Sequence, residues 1–184
     1  MGIGDGTYTL RPGSGQLQVK TTRTGLAARV GHDLTIDITR WHAEVIVDAA
    51  HPSASSVSVE IDTDSFEVRD GTGGIKPLTE SDRAQIKNTI KQKLLDTRRH
   101  PAITFRSTLV EGTAESFSIY GDLTITGVTE PVTMQGRQAD GRVLGSATIV
   151  QTRWGIRPYT GFFGALKLSD EVTVEFEADL NPGA

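Results

Sequence analysis

Cysteine is absent from this 184-residue chain. The absence excludes a disulfide framework, thiolate metal ligands and a cysteine nucleophile, but it leaves the compartment open, because an exported protein need not carry disulfides. No apolar run is long enough to span a bilayer, and the opening residues MGIGDGTYTL have neither the basic start nor the apolar stretch of an export signal. The expectation is a cytoplasmic protein. Positive charge is not in excess either: 19 Lys and Arg against 23 Asp and Glu leave a formal net charge of −4, which argues against nucleic acid as a partner. The motifs of common catalytic sites are missing as well. No GxSxG elbow, HExxH pair, P-loop or strand-following GxGxxG occurs, and His32, His42, His51 and His100 have no metal-ligating spacing. We therefore expect a non-enzyme without metal or cofactor.

What is present is alternation. Leu34, Ile36 and Ile38 share one strand face, as do Trp41, Ala43, Val45 and Val47, then Val57, Val59 and Ile61, and finally Val172, Val174, Phe176, Ala178 and Leu180. The pattern predicts roughly eight strands in one all-β domain over residues 1–184, in a mostly antiparallel sheet that avoids open edges by closing into a barrel. Residues 67–78, EVRDGTGGIKPL, read as a Gly-rich connection too polar for a strand. Gly121, Gly145 and Ala147 fall on inward positions and are small. Each glycine alone also fits a bulge or bend, but together the three favour a cavity over a filled interior.

One helix interrupts the strands. Ile86, Ile90 and Leu94 stack on one face, Arg83, Lys87 and Lys91 form a basic row on another, and Thr79 is positioned as N-cap before Glu80 and Asp82. The apolar stripe covers either ordinary core or the mouth of a cavity. The basic row reads as a solvated face, with steering toward anionic head groups the minority reading. Downstream, RWGIRPYTGFFGALK sets Trp154, Tyr159, Phe162 and Phe163 on a Gly/Pro scaffold, as an apolar portal or as satellite core capping one barrel end; Arg153 and Arg157 flank them and would face a polar head group or water. His32, next to a turn carrying Leu26 and Val30, is expected to make a structural hydrogen bond to nearby backbone.

Two motifs in order carry a family likeness. ESDRAQIKNTIKQKLLDTRRHPAITFRST (Glu80 to Thr108), with Pro101, Phe105 and Ser107 in the strand after the helix, precedes the strand-turn-strand YGDLTITGVTEPV (Tyr120 to Val132). Both resemble the YceI-like family of lipocalin-shaped, polyisoprenoid-binding proteins. The resemblance implies an eight-stranded antiparallel barrel with a helix beside it and an elongated cavity for the tail of a quinone or polyprenyl phosphate. From the inward-facing positions, the ligand-binding candidates are Leu26, Val30, His32, Phe66, Ile86, Ile90, Phe105, Gly145, Trp154, Arg157, Tyr159, Phe162 and Phe163. The expected partner is an isoprenoid lipid, with transient contact to a membrane surface and a monomer or homodimer as the assembly. Competing readings are a stress-related interaction module and an enzyme acting on a lipophilic substrate.

Overall fold

The computed structural model describes residues 4–180. In chain order its strands are β1 (Gly6–Leu10), β2 (Gly15–Lys20), β3 (Arg23–Thr24), β4 (Asp33–Ile38), β5 (Trp41–Val47), β6 (Ser56–Asp62) and β7 (Phe66–Thr72). After the helix α1 (Glu80–Thr89) come β8 (Ala102–Thr113), β9 (Ser116–Ile125), β10 (Val128–Ala139), β11 (Arg142–Val150), β12 (Thr160–Gly161), β13 (Leu166–Leu168) and β14 (Glu171–Asp179). Eleven of them form one antiparallel sheet in the order β1-β5-β6-β8-β9-β10-β11-β14-β2-β4-β7, while β12, β13 and β3 make a small sheet of their own. The architecture is mostly β with one helix, as the alternation predicted.

The sheet curls strongly, and the reason is local. β6 and β7 lie far apart in the strand order yet are joined only by Thr63–Ser65, and β4 runs into β5 through Thr39 and Arg40. Two backbone bonds carry the pairing across this bend: Thr39 N–H donates to Ser65 O at 2.9 Å and Asp62 N–H to Arg40 O at 3.0 Å. Thr63 and Ser65 are buried, so their hydroxyls need partners. Thr63 donates to His100 O (2.8 Å) and Ser65 to Asp62 O (2.7 Å), which fastens the bend to the chain that enters β8. The alternating strands are in this way interrupted where the sheet turns, and segment counting gives eleven where the hydrophobic pattern predicts eight.

Part of one connection is a strand. Residues 67–72 of the segment expected as a loop continue from Phe66 as β7, which pairs with β4 from Phe66↔Ile38 to Thr72↔Asp33, with a register shift at Thr35/Ile36. Its inward side is apolar at Phe66 and Val68; its outward polarity has a use, described below. The Thr126-Gly127 turn between β9 and β10 has φ of +51° and +78°, the left-handed pair suited to a two-residue hairpin. Inward residues of β4, β8, β9, β10 and β11, among them Ile36, Ile103, Ile119, Val132 and Ile149, build the main core.

The helix start is as expected, with a reciprocal cap: Thr79 Oγ1 accepts from Asp82 N–H (3.1 Å) and Asp82 accepts from Thr79 N–H (2.8 Å). After Thr89 the helix widens into a π turn, Ile90–Leu94, which turns Ile90 and Leu95 into buried positions. The basic row does not face bulk solvent alone. Arg83 Nη1 donates to Val68 O (2.9 Å) and Arg69 O (2.7 Å), Lys87 pairs with Glu67, and Lys91 reaches Asp64 at 3.2 Å. Glu67 lies on β7 and Asp64 in the bend before it, so the row latches the helix along β7.

Candidate functional site

Between the curled sheet and the helix lies a cavity of about 650 Å³. Its walls come from the inward faces of β2, β4, β6, β8, β9, β10, β11 and β14, with Ile36, Ile38, Phe66, Ile103, Phe105 and Ile149 deep in the bore. The helix stripe settles into the same space: Ile86, Ile90 and Leu94 line the cavity. The stripe is both core and cavity lining: Ile90 is buried in the main core, and Ile86 and Leu94 pack against that core. Polar lining groups gather on the mouth elements, where His32, Lys76, Asp82, Gln85, Gln151 and Tyr159 surround an otherwise apolar opening.

The mouth is held by a few polar bonds. His32 Nε2 lies 2.7 Å from Lys76 O, so the imidazole makes the backbone bond its position suggested and ties the segment before β4 to the 73–79 loop. Gly74 makes this approach feasible: its φ is +72°, and a Cβ there would come within 2.4 Å of His32 Nε2. Arg23 ties the same loop from the other side, donating from Nη1 to Gly31 O (2.6 Å) and Thr72 O (3.0 Å). Asp82 accepts hydrogen bonds from the Thr79 backbone and hydroxyl, which hold its carboxyl below the usual carboxylate range, so the acid at the rim remains an anion engaged in the cap.

Of the sequence candidates, Val30, His32, Phe66, Ile86, Ile90, Phe105 and Tyr159 line the cavity. Others lie elsewhere. Trp154 is buried at 1% exposure in the main core, its Nε1 donating to Leu123 O (2.9 Å), with the Arg153 guanidinium 5.5 Å from its ring centroid. Trp154 thus belongs to the core, whereas Tyr159 lines the cavity. Arg153 is paired with Glu130 at 2.8 Å. Leu26 and Phe163 are fully exposed and Arg157 is exposed, all outside the cavity wall. The Phe162 side chain is outside the described residues. Gly145 does not open the bore: a Cβ there would meet the Phe176 ring at 2.4 Å and Gln135 O at 2.6 Å, so a neighbouring aromatic already fills the space. Gly121 is covered in the same way by Phe105, while Ala147 does line the cavity.

Sequence reasoning missed Ile75, Leu78, Leu95, Ile156, Leu166 and Leu168, all of which line the cavity. They sit in loops, at the helix end or on the short β13, where alternation is too brief to register. For Val172 and Val174 the signal was present in the clean period of β14. Among the described residues no group of three His, Asp or Glu side chains is placed to hold a metal ion, and no helix is long and apolar enough to cross a membrane.

The model of the YceI-like domain matches residues 8–180, which is nearly every residue that builds this sheet and cavity. The chain belongs to the YceI-like family. Among curated proteins, Protein YceI of Escherichia coli O6:H1 is 34% identical over 90 residues, covering 49% of this chain and 41% of that protein. A UPF0312 protein of Pectobacterium carotovorum is 31% identical over 140 residues, 74% of this chain and 60% of that protein. The chain therefore spans less than two thirds of the length of these relatives. Among solved structures, Burkholderia cenocepacia BcnA superposes with a TM-score of 0.68 at 18% identity, over 90% of this YceI-like chain and 95% of BcnA. A polyisoprenoid binding domain from Saccharophagus degradans, implicated in plant cell wall breakdown, superposes with a TM-score of 0.57 at 12% identity, over 95% and 97%. At these identities the likeness is one of fold.

Proposed function

We propose that this chain binds a single isoprenoid lipid of the quinone or polyprenyl phosphate type, tail inward, and acts as a carrier or store without catalysing a reaction. The observation that carries this reading is the distribution of polarity: a bore of about 650 Å³ that is apolar at depth except for Thr21, whose hydroxyl is engaged by Leu34 N–H, with the charged and amide lining groups on the helix and the loops. That volume lies within the roughly 300–1,000 Å³ of single-ligand sites. An amphiphile with a long tail and a compact head matches such a cavity, and the fold shared with a polyisoprenoid binding domain supports the tail chemistry.

The container itself is best counted as eight strands. If β1 with β2, β4 with β5 and β6 with β7 are each taken as one run broken at the bend, the pairings β1 with β5, β2 with β4, β5 with β6, β4 with β7 and β14 with β2, together with the chain of pairings from β6 through β8, β9, β10 and β11 to β14, form a ring of eight. Such a ring is wide enough to enclose one ligand. The driving force is apolar burial, about 0.8 kcal/mol per CH₂ removed from water before the cost of ordering the tail. Titration with a fluorescent prenyl probe tests the reading. Ala147→Phe places a ring in the bore and should weaken probe binding about tenfold or more while the circular dichroism spectrum stays native. Equal affinity of the two proteins would remove the bore as the binding site.

A further inference from the structure

The rim of the cavity combines two features that the bore does not use. Leu26 is 100% exposed, Ile75 72% and Phe163 113%, the largest apolar exposures among the described residues, and each sits on a loop that supplies lining to the cavity, through Val30, Ile75 and Tyr159 respectively. Ile75 itself lines the opening. Leu26 and Phe163 flank Ala165, whose carbonyl accepts from Ala27 N–H (3.0 Å) and which precedes the cavity-lining Leu166. Phe163 is held at φ +55°, a left-handed conformation uncommon for a bulky residue, which projects the ring outward. Side chains of this kind scattered over a surface would need no explanation; three around one opening do.

The second feature is charge. The three loops at the mouth, residues 25–31 (GLAARVG), 73–79 (GGIKPLT) and 155–165 (GIRPYTGFFGA), contain no Asp or Glu in a chain whose formal net charge is −4. They contain Arg29, Lys76 and Arg157, all exposed and, among the described residues, all without an ion-pair partner, whereas the basic row of the helix is engaged by β7 and the bend before it. The carboxylates that follow two of these loops in sequence are occupied: Asp82 in the helix cap and Asp33 on Arg23 N–H (2.7 Å).

We propose that this rim docks on an anionic lipid bilayer, with Leu26, Ile75 and Phe163 inserted among the head groups and Arg29, Lys76 and Arg157 facing lipid phosphates. Apolar tips surrounded by unpaired cations are the pattern by which a soluble surface lies on a negatively charged interface. The acidic remainder of the molecule orients the mouth downward. The proposal rests on the carrier reading for its purpose: a lipid tail would then pass between bilayer and bore without crossing water.

The test is flotation of the full chain with vesicles of phosphatidylcholine alone or with phosphatidylglycerol added, containing no isoprenoid. We expect co-flotation with the anionic vesicles only, loss of about tenfold or more in Leu26→Ser/Phe163→Ser, and a similar loss when salt shortens the screening length. Both substituted residues are exposed, so the variant should retain the wild-type melting temperature and affinity for a water-soluble short-chain prenyl probe. Failure to float with anionic vesicles, or equal flotation of wild type and variant, would overturn the proposal. Self-association that the double variant abolishes, seen by sedimentation velocity in the absence of vesicle binding, would instead assign the rim to a second copy. Because the vesicles contain no isoprenoid, loss of probe binding with flotation intact would count against the carrier reading and not against the docking surface.

Discussion

Single residues decide whether the interior is hollow or filled. Gly145 was expected to widen the cavity, but the Phe176 ring occupies the space a side chain would take. Gly145→Val should therefore destabilise the fold by about 1–3 kcal/mol in urea unfolding while leaving the chain lengths accepted by the bore unchanged. Ser65 is 0% exposed and donates its hydroxyl proton within the bend. Replacing it with Ala should cost about 1–2 kcal/mol, because two chain segments lose a buried hydrogen-bonding partner. A cost near zero would mean that the bend is held by the backbone pairs alone. Neither role was legible beforehand: a glycine in a strand and a serine in a polar stretch acquire meaning only from what the fold brings against them.

At the scale of elements, the helix is a latched wall of the cavity. Its start was legible because Thr79, Glu80 and Asp82 are a local signal, and its apolar stripe because Ile86, Ile90 and Leu94 repeat with the helical period. The docking of Arg83 and Lys87 on β7 was not, since the strand that receives them reads as a loop, and Lys91 meets Asp64 only because the bend is folded beside it. Arg83→Ala removes two hydrogen bonds to β7 carbonyls and should lower amide-exchange protection of the helix by about 1–2 kcal/mol, with little effect on the far strands β9 and β10. The bend and the latch also respond to acid. The Asp62 carboxylate is held below its usual range first by its bond to Arg40, and Asp64 first by the Thr97 hydroxyl and then by Lys91. A carboxyl depressed in the folded state contributes stability above its unfolded pKa and loses it as pH falls through the folded one, so the melting temperature should decline below about pH 4. A melting temperature that stayed level down to pH 2 would detach these carboxylates from the bend.

For the whole molecule, the sequence was most readable where a period of two ran long enough, in β4, β8, β9, β11 and β14, and least readable where the sheet bends or ends. Strand breaks at Thr39–Arg40 and Thr63–Ser65 look like turns until the pairing across them is known. Half of the cavity wall followed from alternation; the loops and the π turn that finish its mouth have no sequence period to find. The central claim is that the bore receives one isoprenoid tail. The measurement that meets it most directly is native mass spectrometry of the chain incubated with a series of prenyl alcohols of increasing length. The account predicts one-to-one adducts whose stability rises with each prenyl unit until the bore is full and then levels off, and adducts that fade in Ala147→Phe. An unshifted mass across the series, or adducts of several lipids per chain indifferent to length and to Ala147→Phe, would contradict it.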